Sequence, residues 1–235
     1  INEYRGNDHD ISFNGKFSKN INDKNTVQKL FKILNQINLL KNKKFRIKIK
    51  KNIPQESGLG GGSMNAASIL NYLVKKKFFN LNSKKNKKIC NLIGSDVILG
   101  TILSSCILSS NNRIKKFNNT PKYYPLLVKP DFGCSTKKIY SAVRKYSKPR
   151  YSQPKRNMFE LEYLIKEQNV LEEIAFKKYP KLKKIKSILE GIYNPTFVRM
   201  TGSGSTIAAY YNSQKSCKLA KTKFKRIYKN YWCVT

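Results

Sequence analysis

Four glycines and a serine stand directly before an apolar helical pattern in the run Pro54-Gln55-Glu56-Ser57-Gly58-Leu59-Gly60-Gly61-Gly62-Ser63-Met64-Asn65-Ala66-Ala67. Glycine takes up positive φ without a Cβ clash and lets backbone approach a bulky group. The free N–H groups of the helix that follows point outward, and its dipole favours negative charge. A bulky anion such as a nucleotide triphosphate is the expected guest. The competing reading is a glycine-rich surface turn that holds nothing.

Two commoner phosphate cradles do not fit. A Walker loop needs Gly-x-x-x-x-Gly-Lys-Ser/Thr, and no lysine follows Gly62, so the side chain that grips the outer phosphates is missing from that place. A dinucleotide fingerprint needs a third glycine where Ser63 stands, and an acid some twenty positions on, where lysines and asparagines stand. The pattern Pro-x-x-x-Gly-Leu-Gly-Gly-Gly-Ser-x-Asn-Ala-Ala resembles the second motif of the galactokinase, homoserine kinase, mevalonate kinase and phosphomevalonate kinase (GHMP) superfamily. Its triple-glycine form is most similar to the 4-diphosphocytidyl-2-C-methyl-D-erythritol kinases.

Four further segments follow in that family's order. Gly94-Ser95-Asp96-Val97 resembles its Gly-Ala/Ser-Asp-Val segment, and Thr201-Gly202-Ser203-Gly204-Ser205 resembles its third motif. Pro125-Leu126-Leu127-Val128-Lys129-Pro130, with Ser135-Thr136 and Tyr140, is similar to its strand, loop and helix after the domain crossover. Asn169-Val170-Leu171-Glu172 is similar to its Asn-Asp-Leu-Glu helix start. Read singly, Gly202 to Ser205 is also a flexible turn ahead of a strand, and Asp96 also a helix cap or loop acid.

Asp96 stands out without any family. It is the only carboxylate between Glu56 and Asp131, in a 235-residue chain with 48 Lys and Arg against 13 Asp and Glu. A carboxylate beside a hydroxyl that attacks a γ-phosphorus can accept its proton, and nearby cations would keep it ionised. General base is the role expected, with a capping or salt-bridged Asp as the alternative.

Other chemistries are poorly served. His9 is the only histidine and lies in a polar segment, so a nucleophile–histidine site would have to be built around it. Cys90, Cys106, Cys134, Cys217 and Cys233 form no Cys-x-x-Cys pair and no metal-ligand spacing. Free thiols without a secretory signal point to a reducing cytoplasm. The longest apolar stretch, Val97 to Leu108, is broken by Gly100, Ser104 and Ser105 and is too short to span a bilayer, so no membrane attachment is expected.

The net charge of +35 would ordinarily suggest nucleic acid. The lysines are spread almost everywhere and accompany abundant Asn, Ile and Tyr, the set that adenine- and thymine-rich codons specify. No specific nucleic-acid partner is therefore expected, and solvated surface lysines explain the balance. A basic RNA-binding module stays open as an alternative. It would tolerate Asp96→Asn but not loss of lysines, the reverse of a kinase.

Periodicity points to an α+β protein of two domains, 1–119 and 120–235. Val27, Leu30, Phe31, Leu34 and Ile37 predict a helix capped by Asn25. Phe45, Ile47 and Ile49 predict a half-buried strand leading into the glycine run, and Ala66, Ile69, Leu70 and Leu73 a helix leaving it. Leu126 to Val128 and Thr206 to Tyr211 read as strands. Lys137 to Arg144, Leu171 to Leu189 and Ser213 to Ile227 read as helices.

The resemblance implies a GHMP kinase fold: a ribosomal-S5-like N-terminal domain, incomplete here, and a ferredoxin-like C-terminal domain, with the active site in the cleft between them. It implies ATP and Mg2+ as cofactors and cytidine-diphospho-methylerythritol as the small-molecule substrate of a monomer or homodimer. Another GHMP kinase, of homoserine or mevalonate type, is the nearest alternative. Pro54, Gln55, Glu56, Ser57, Gly58, Leu59, Gly60, Gly61, Gly62, Ser63 and Met64 would wrap the ATP phosphates, with Asn65 near the helix start and Ser63 near the magnesium. Asp96 would take the substrate proton. Gly202, Ser203 and Gly204 would close beside the phosphates. Thr136 and Tyr140 would meet the substrate, Tyr140 stacking on cytosine or, alternatively, serving as a core tyrosine.

The chain departs from the family pattern in three segments. Ile98 replaces the proline that usually follows Asp-Val, Ser110-Asn111-Asn112-Arg113 stands where Gly-x-Gly-Glu is usual, and Met64 replaces the second serine, so a magnesium ligand would be lost unless Ser63 or water substitutes. The chain also opens at Ile1 without the family's Ala-Lys-Ile-Asn segment and its catalytic lysine. A fragment of low activity is the expectation.

Overall fold

The structure is a computed structural model that describes residues 1–109, 113–146, 148 and 153–235. Of the segment Ser110-Asn111-Asn112-Arg113, which stands where Gly-x-Gly-Glu is usual, the first three residues lie outside the described ones. The chain packs into two compact units, Ile1–Ile53 with Gly60–Cys106, and Pro54–Leu59 with Ile107–Thr235. These bounds differ from the expected 1–119 and 120–235, because Pro54–Leu59 hydrogen-bonds among residues of the second unit.

The first unit holds a three-stranded sheet of β1 (Asn2–Tyr4), β2 (Asp10–Asn14) and β3 (Lys44–Lys50), in the order β1-β3-β2. β2 runs parallel to β3, so the connection must cross over, and α1 (Thr26–Gln36) makes it. The Asn25 side chain accepts from the amides of Val27 and Gln28, the cap expected from sequence. Val27, Leu30, Phe31 and Leu34 are buried, and Phe45 and Ile47 alternate into the same interior. Each large apolar side chain so buried contributes about 1.5–3 kcal/mol. His9 is half-buried against this interior: its ring lies 4.4 Å from that of Phe31, and its Nδ1 accepts from the Phe45 amide.

Three helices complete the unit: α2 (Gly61–Lys75), α3 (Ser83–Ile93) and the single turn α4 (Val97–Gly100). A Cβ on Gly100 would lie 2.6 Å from Cβ of Ala67 and 2.8 Å from Sδ of Met64, so only glycine lets α4 sit this close to α2. Met64, at the place of the family's second serine, is thus a packing residue under Gly100. Gly100→Ala is expected to destabilise the protein by about 1–3 kcal/mol, the usual cost of overpacking, with a matching fall in thermal midpoint. An unchanged midpoint would contradict this close packing.

β4 (Ser105–Leu108) carries the chain onward and pairs with β5 (Ile114–Phe117). The second unit is built on β6 (Tyr124–Lys129), β7 (Phe197–Met200), β8 (Ile207–Tyr211) and β9 (Trp232–Val234), in the antiparallel order β7-β8-β6-β9. With α5 (Thr136–Tyr140), α6 (Leu161–Lys166), α7 (Val170–Lys178) and α8 (Pro180–Glu190) between β6 and β7, and α9 (Gln214–Ile227) between β8 and β9, this is the ferredoxin-like βαββαβ order. Leu126, Val128, Leu182, Leu189, Tyr211 and Phe224 are among its fully buried side chains.

Two helices differ from expectation. The helix predicted over Leu171 to Leu189 is two, broken at Tyr179, whose φ of −130° and ψ of 74° leave the helical region. Pro180 excludes α conformation from the residue before it and opens α8 in its own first turn. The helix predicted over Lys137 to Arg144 ends at Tyr140. Ala142 and Val143 bond instead to the carbonyls of Ile139 and Tyr140, the tighter i→i+3 pattern in which a short helix ends.

Candidate active site

Within the first unit, Gly60 is the N-cap of α2, at φ +65° and ψ 17°, with no side-chain hydrogen bond across the helix start. Asn25, Asn82, Asn169 and Ser213 each cap their own helix with a side chain. The opening amides of α2 have no intrahelical acceptor either, so they are left for an incoming anion. A Cβ on Gly60 would meet nothing within 4 Å, which leaves open space over the helix start. The first turn is anchored by Thr26, whose hydroxyl donates to the Gly62 carbonyl at 2.8 Å.

Lys51 was not singled out by the sequence. Its amide donates to the Asn14 carbonyl, and its carbonyl accepts from the Phe17 amide. With the backbone so fixed, its Nζ lies 3.7 Å from where a Cβ on Gly61 would stand. Burial lowers its pKa, and no carboxylate pairs with it among the described residues. A partly desolvated cation beside the positive end of a helix is unfavourable by itself, and a phosphate there relieves both. The signal was visible as a lysine three residues before Pro54, but a Walker pattern looks for it after the glycines.

Asp96 opens α4. Its side chain makes no cap hydrogen bond and forms no ion pair among the described residues, which removes the capping and salt-bridge readings. The carboxylate is exposed and accepts from the Ser95 hydroxyl at 3.1 Å. One helical turn, about 6 Å of rise, separates it from Gly100, which rests on Met64 and Ala67 of α2. The α2–α4 packing thereby ties the carboxylate to the helix that carries the glycines.

In the second unit, Pro54–Leu59 interlocks with the other glycine segment. Glu56 carbonyl accepts from the amides of Cys134 and Ser205, and Ser57 carbonyl from the Thr206 amide. Gly58 (φ +69°) faces Gly202 (φ +49°) and Gly204 (φ +83°). A Cβ on Gly58 would lie 2.2 Å from the Thr201 carbonyl oxygen. Gly58 is therefore required by backbone contact inside the protein. Thr136 and Ser203, two predicted site residues, share a hydroxyl–hydroxyl hydrogen bond of 3.0 Å.

Tyr140 is 53% exposed, which excludes the core reading; Ile139 fills the core instead. It lines a groove of about 720 Å³ with Gly202, Asn169, Val170, Arg144 and Arg199. Asn169 explains its family motif: its Nδ2 donates to the carbonyls of Met200 and Gly202 while its Oδ1 caps α7. Glu172 accepts from the Met200 amide and pairs with Lys186. These two residues fix the strand that enters the glycine turn at Gly202. The sequence supplied the motif but not this role.

Residues 25–102 match the GHMP kinases N terminal domain. Over 234 residues the chain is 53% identical to the 4-diphosphocytidyl-2-C-methyl-D-erythritol kinase of Pelagibacter ubique, covering all of this chain and 83% of that protein. The chain belongs to this kinase family. A relative of the same name from Clostridium tetani is 36% identical over 196 residues, covering 77% of this chain and 69% of its own. The crystal structure of 4-(cytidine 5'-diphospho)-2C-methyl-D-erythritol kinase superposes with a TM-score of 0.73 at 21% identity, covering 96% of this chain and 81% of that one. At that identity it speaks for the fold, a GHMP kinase fold of α+β class. Kinases of this family use ATP, and the open, uncapped start of α2 with Lys51 beside it suits phosphate. Among the described residues no three His, Cys, Asp or Glu side chains converge on a metal position. No helix is long and apolar enough to cross a membrane among those residues.

Proposed function

We infer that this protein is an ATP-dependent kinase that phosphorylates the 2-hydroxyl of 4-diphosphocytidyl-2-C-methyl-D-erythritol, a step of non-mevalonate isoprenoid biosynthesis. The observation that carries the reading is identity above one half, along the whole chain, to a kinase of that name. The amides of Gly60, Gly61, Gly62 and Ser63 and the ammonium of Lys51 hold the ATP phosphates. Pro54 to Leu59 and Gly202 to Gly204 are assigned to the nucleotide by the family resemblance of their motifs. Asp96 takes the proton as the hydroxyl oxygen bonds to the γ-phosphorus and the bond to the ADP oxygen breaks. Mg2+, when bound, neutralises phosphate charge, and Ser63 is the side chain assigned to it; such an ion commonly keeps several waters and few protein ligands. Tyr140 offers an exposed ring for the cytosine, beside Thr136, and Arg144 in the same groove carries charge suited to the diphosphate. This shelf favours a nucleotide-bearing alcohol over homoserine or mevalonate. A cytoplasmic setting is part of this reading, supported by the five free thiols.

A phosphoryl-transfer assay on the full-length protein with Mg-ATP, offering cytidine-diphospho-methylerythritol, homoserine and mevalonate in parallel, tests the assignment. Transfer to the first is expected, and none would overturn it. Lys51→Met is expected to raise KM for ATP about 10- to 100-fold, the worth of a hydrogen bond to a charged group. An unchanged KM would remove Lys51 from the phosphate site.

A further inference from the structure

Lys129 ends β6 with its side chain turned inward, and only 5% of the residue is exposed. Its Nζ donates to the carbonyl oxygens of Pro130 at 3.0 Å and Phe132 at 2.8 Å. Burial lowers its pKa, and Cys134, Glu56 and Asp131 act in the opposite direction. It has no carboxylate partner in an ion pair among the described residues. Burying an ammonium is costly, and a β-strand can turn without one.

Both carbonyls belong to the bend that joins the two glycine segments of the second unit. Phe132 carbonyl, already held by Lys129, also accepts from the Ser205 hydroxyl at 2.8 Å. Two residues on, the Cys134 amide donates to the Glu56 carbonyl at 3.2 Å, and the Ser205 amide donates to that same oxygen at 3.2 Å. The Thr206 amide holds the Ser57 carbonyl at 3.1 Å. One cation thus underlies a node where 54–57, 130–134 and 201–206 meet.

We propose that Lys129 is a positioning residue for ATP binding: its ammonium sets the Pro130–Phe132 bend, and through Ser205 and Glu56 that bend sets the register of both glycine segments. This rests on reading those segments as nucleotide-site loops, as their motifs imply. Lys129 is buried under the bend, so its effect is exerted through the two loops.

The test is steady-state kinetics of full-length Lys129→Met, Lys129→Arg and Ser205→Ala, run well below each variant's unfolding midpoint. Lys129→Met is expected to raise KM for ATP about 10- to 100-fold, the scale on which small misplacements act, with KM for the alcohol little changed. Lys129→Arg, which keeps the charge, recovers part of the loss. Ser205→Ala keeps the lysine and cuts the next link, so it raises KM for ATP in the same direction and serves even if Lys129→Met does not fold. A lowered midpoint with unchanged KM for ATP, in Lys129→Met or in Ser205→Ala, means a purely structural lysine and overturns the proposal. Absence of ATP turnover by the unsubstituted protein would overturn the loop reading and the proposal with it, which separates the two failures.

Discussion

Asp96→Asn is expected to lower kcat by about 10²–10⁴-fold, the usual worth of a positioned general base. The amide is nearly isosteric and cannot take the proton, so KM for ATP should stay within about twofold and the loss should fall on the chemical step. Fold disruption is not the cause to expect, since the Asp96 side chain caps no helix and accepts only from the neighbouring Ser95 hydroxyl among the described residues. Steady-state kinetics with both substrates varied, beside a thermal melt, checks this. Retention of most of the turnover would remove Asp96 from the reaction and reopen the non-enzymatic reading.

Gly58→Ala is the second large effect expected. The added methyl would sit 2.2 Å from the Thr201 carbonyl oxygen and 2.9 Å from both N and O of Gly204, at a φ of +69°. The left-handed conformation and the overpacking together cost on the order of 3 kcal/mol. In a chain of this size that lowers the thermal midpoint by about 6–12 °C. Backbone cannot retreat as a flexible side chain can, so the glycine segments separate and KM for ATP rises as well. Gly60→Ala is the control: its φ is +65°, but its methyl meets nothing within 4 Å. It should cost only about 1–2 kcal/mol of conformational strain. Calorimetric melts of the two variants distinguish them, and equal midpoints would mean that the contact at Gly58 is not confining.

The contrast between Gly58 and Gly60 also shows where sequence reading stops. Both belong to one motif, and the family resemblance implies a phosphate-cradling role for both. In the fold only Gly60 opens onto free space, while Gly58 is held against the Thr201 carbonyl, 143 positions along the chain by their numbers. Lys51 makes the same point from the other side. A Walker pattern places its gripping lysine after the glycines, whereas here Lys51 follows the strand that precedes them.

What the residues announced without help was governed by their near neighbours. The Asn25 cap, the alternation of Phe45 and Ile47, the apolar face from Ala66 to Leu73 and the open glycine start of α2 all depend on contacts within a turn or a pleat, so periodicity and turn chemistry suffice to read them. The break at Tyr179 is encoded locally by Pro180, yet the apolar pattern runs across it and predicts a single helix, which the fold corrects. Folding alone brought Lys51 to Gly61, Asn169 to Gly202, Gly100 onto Met64 and Lys129 under Ser205 and Glu56. Each of these joins residues far apart in number, and such pairs meet only once sheets and helices have packed, because no local propensity encodes which distant carbonyl a buried donor will face.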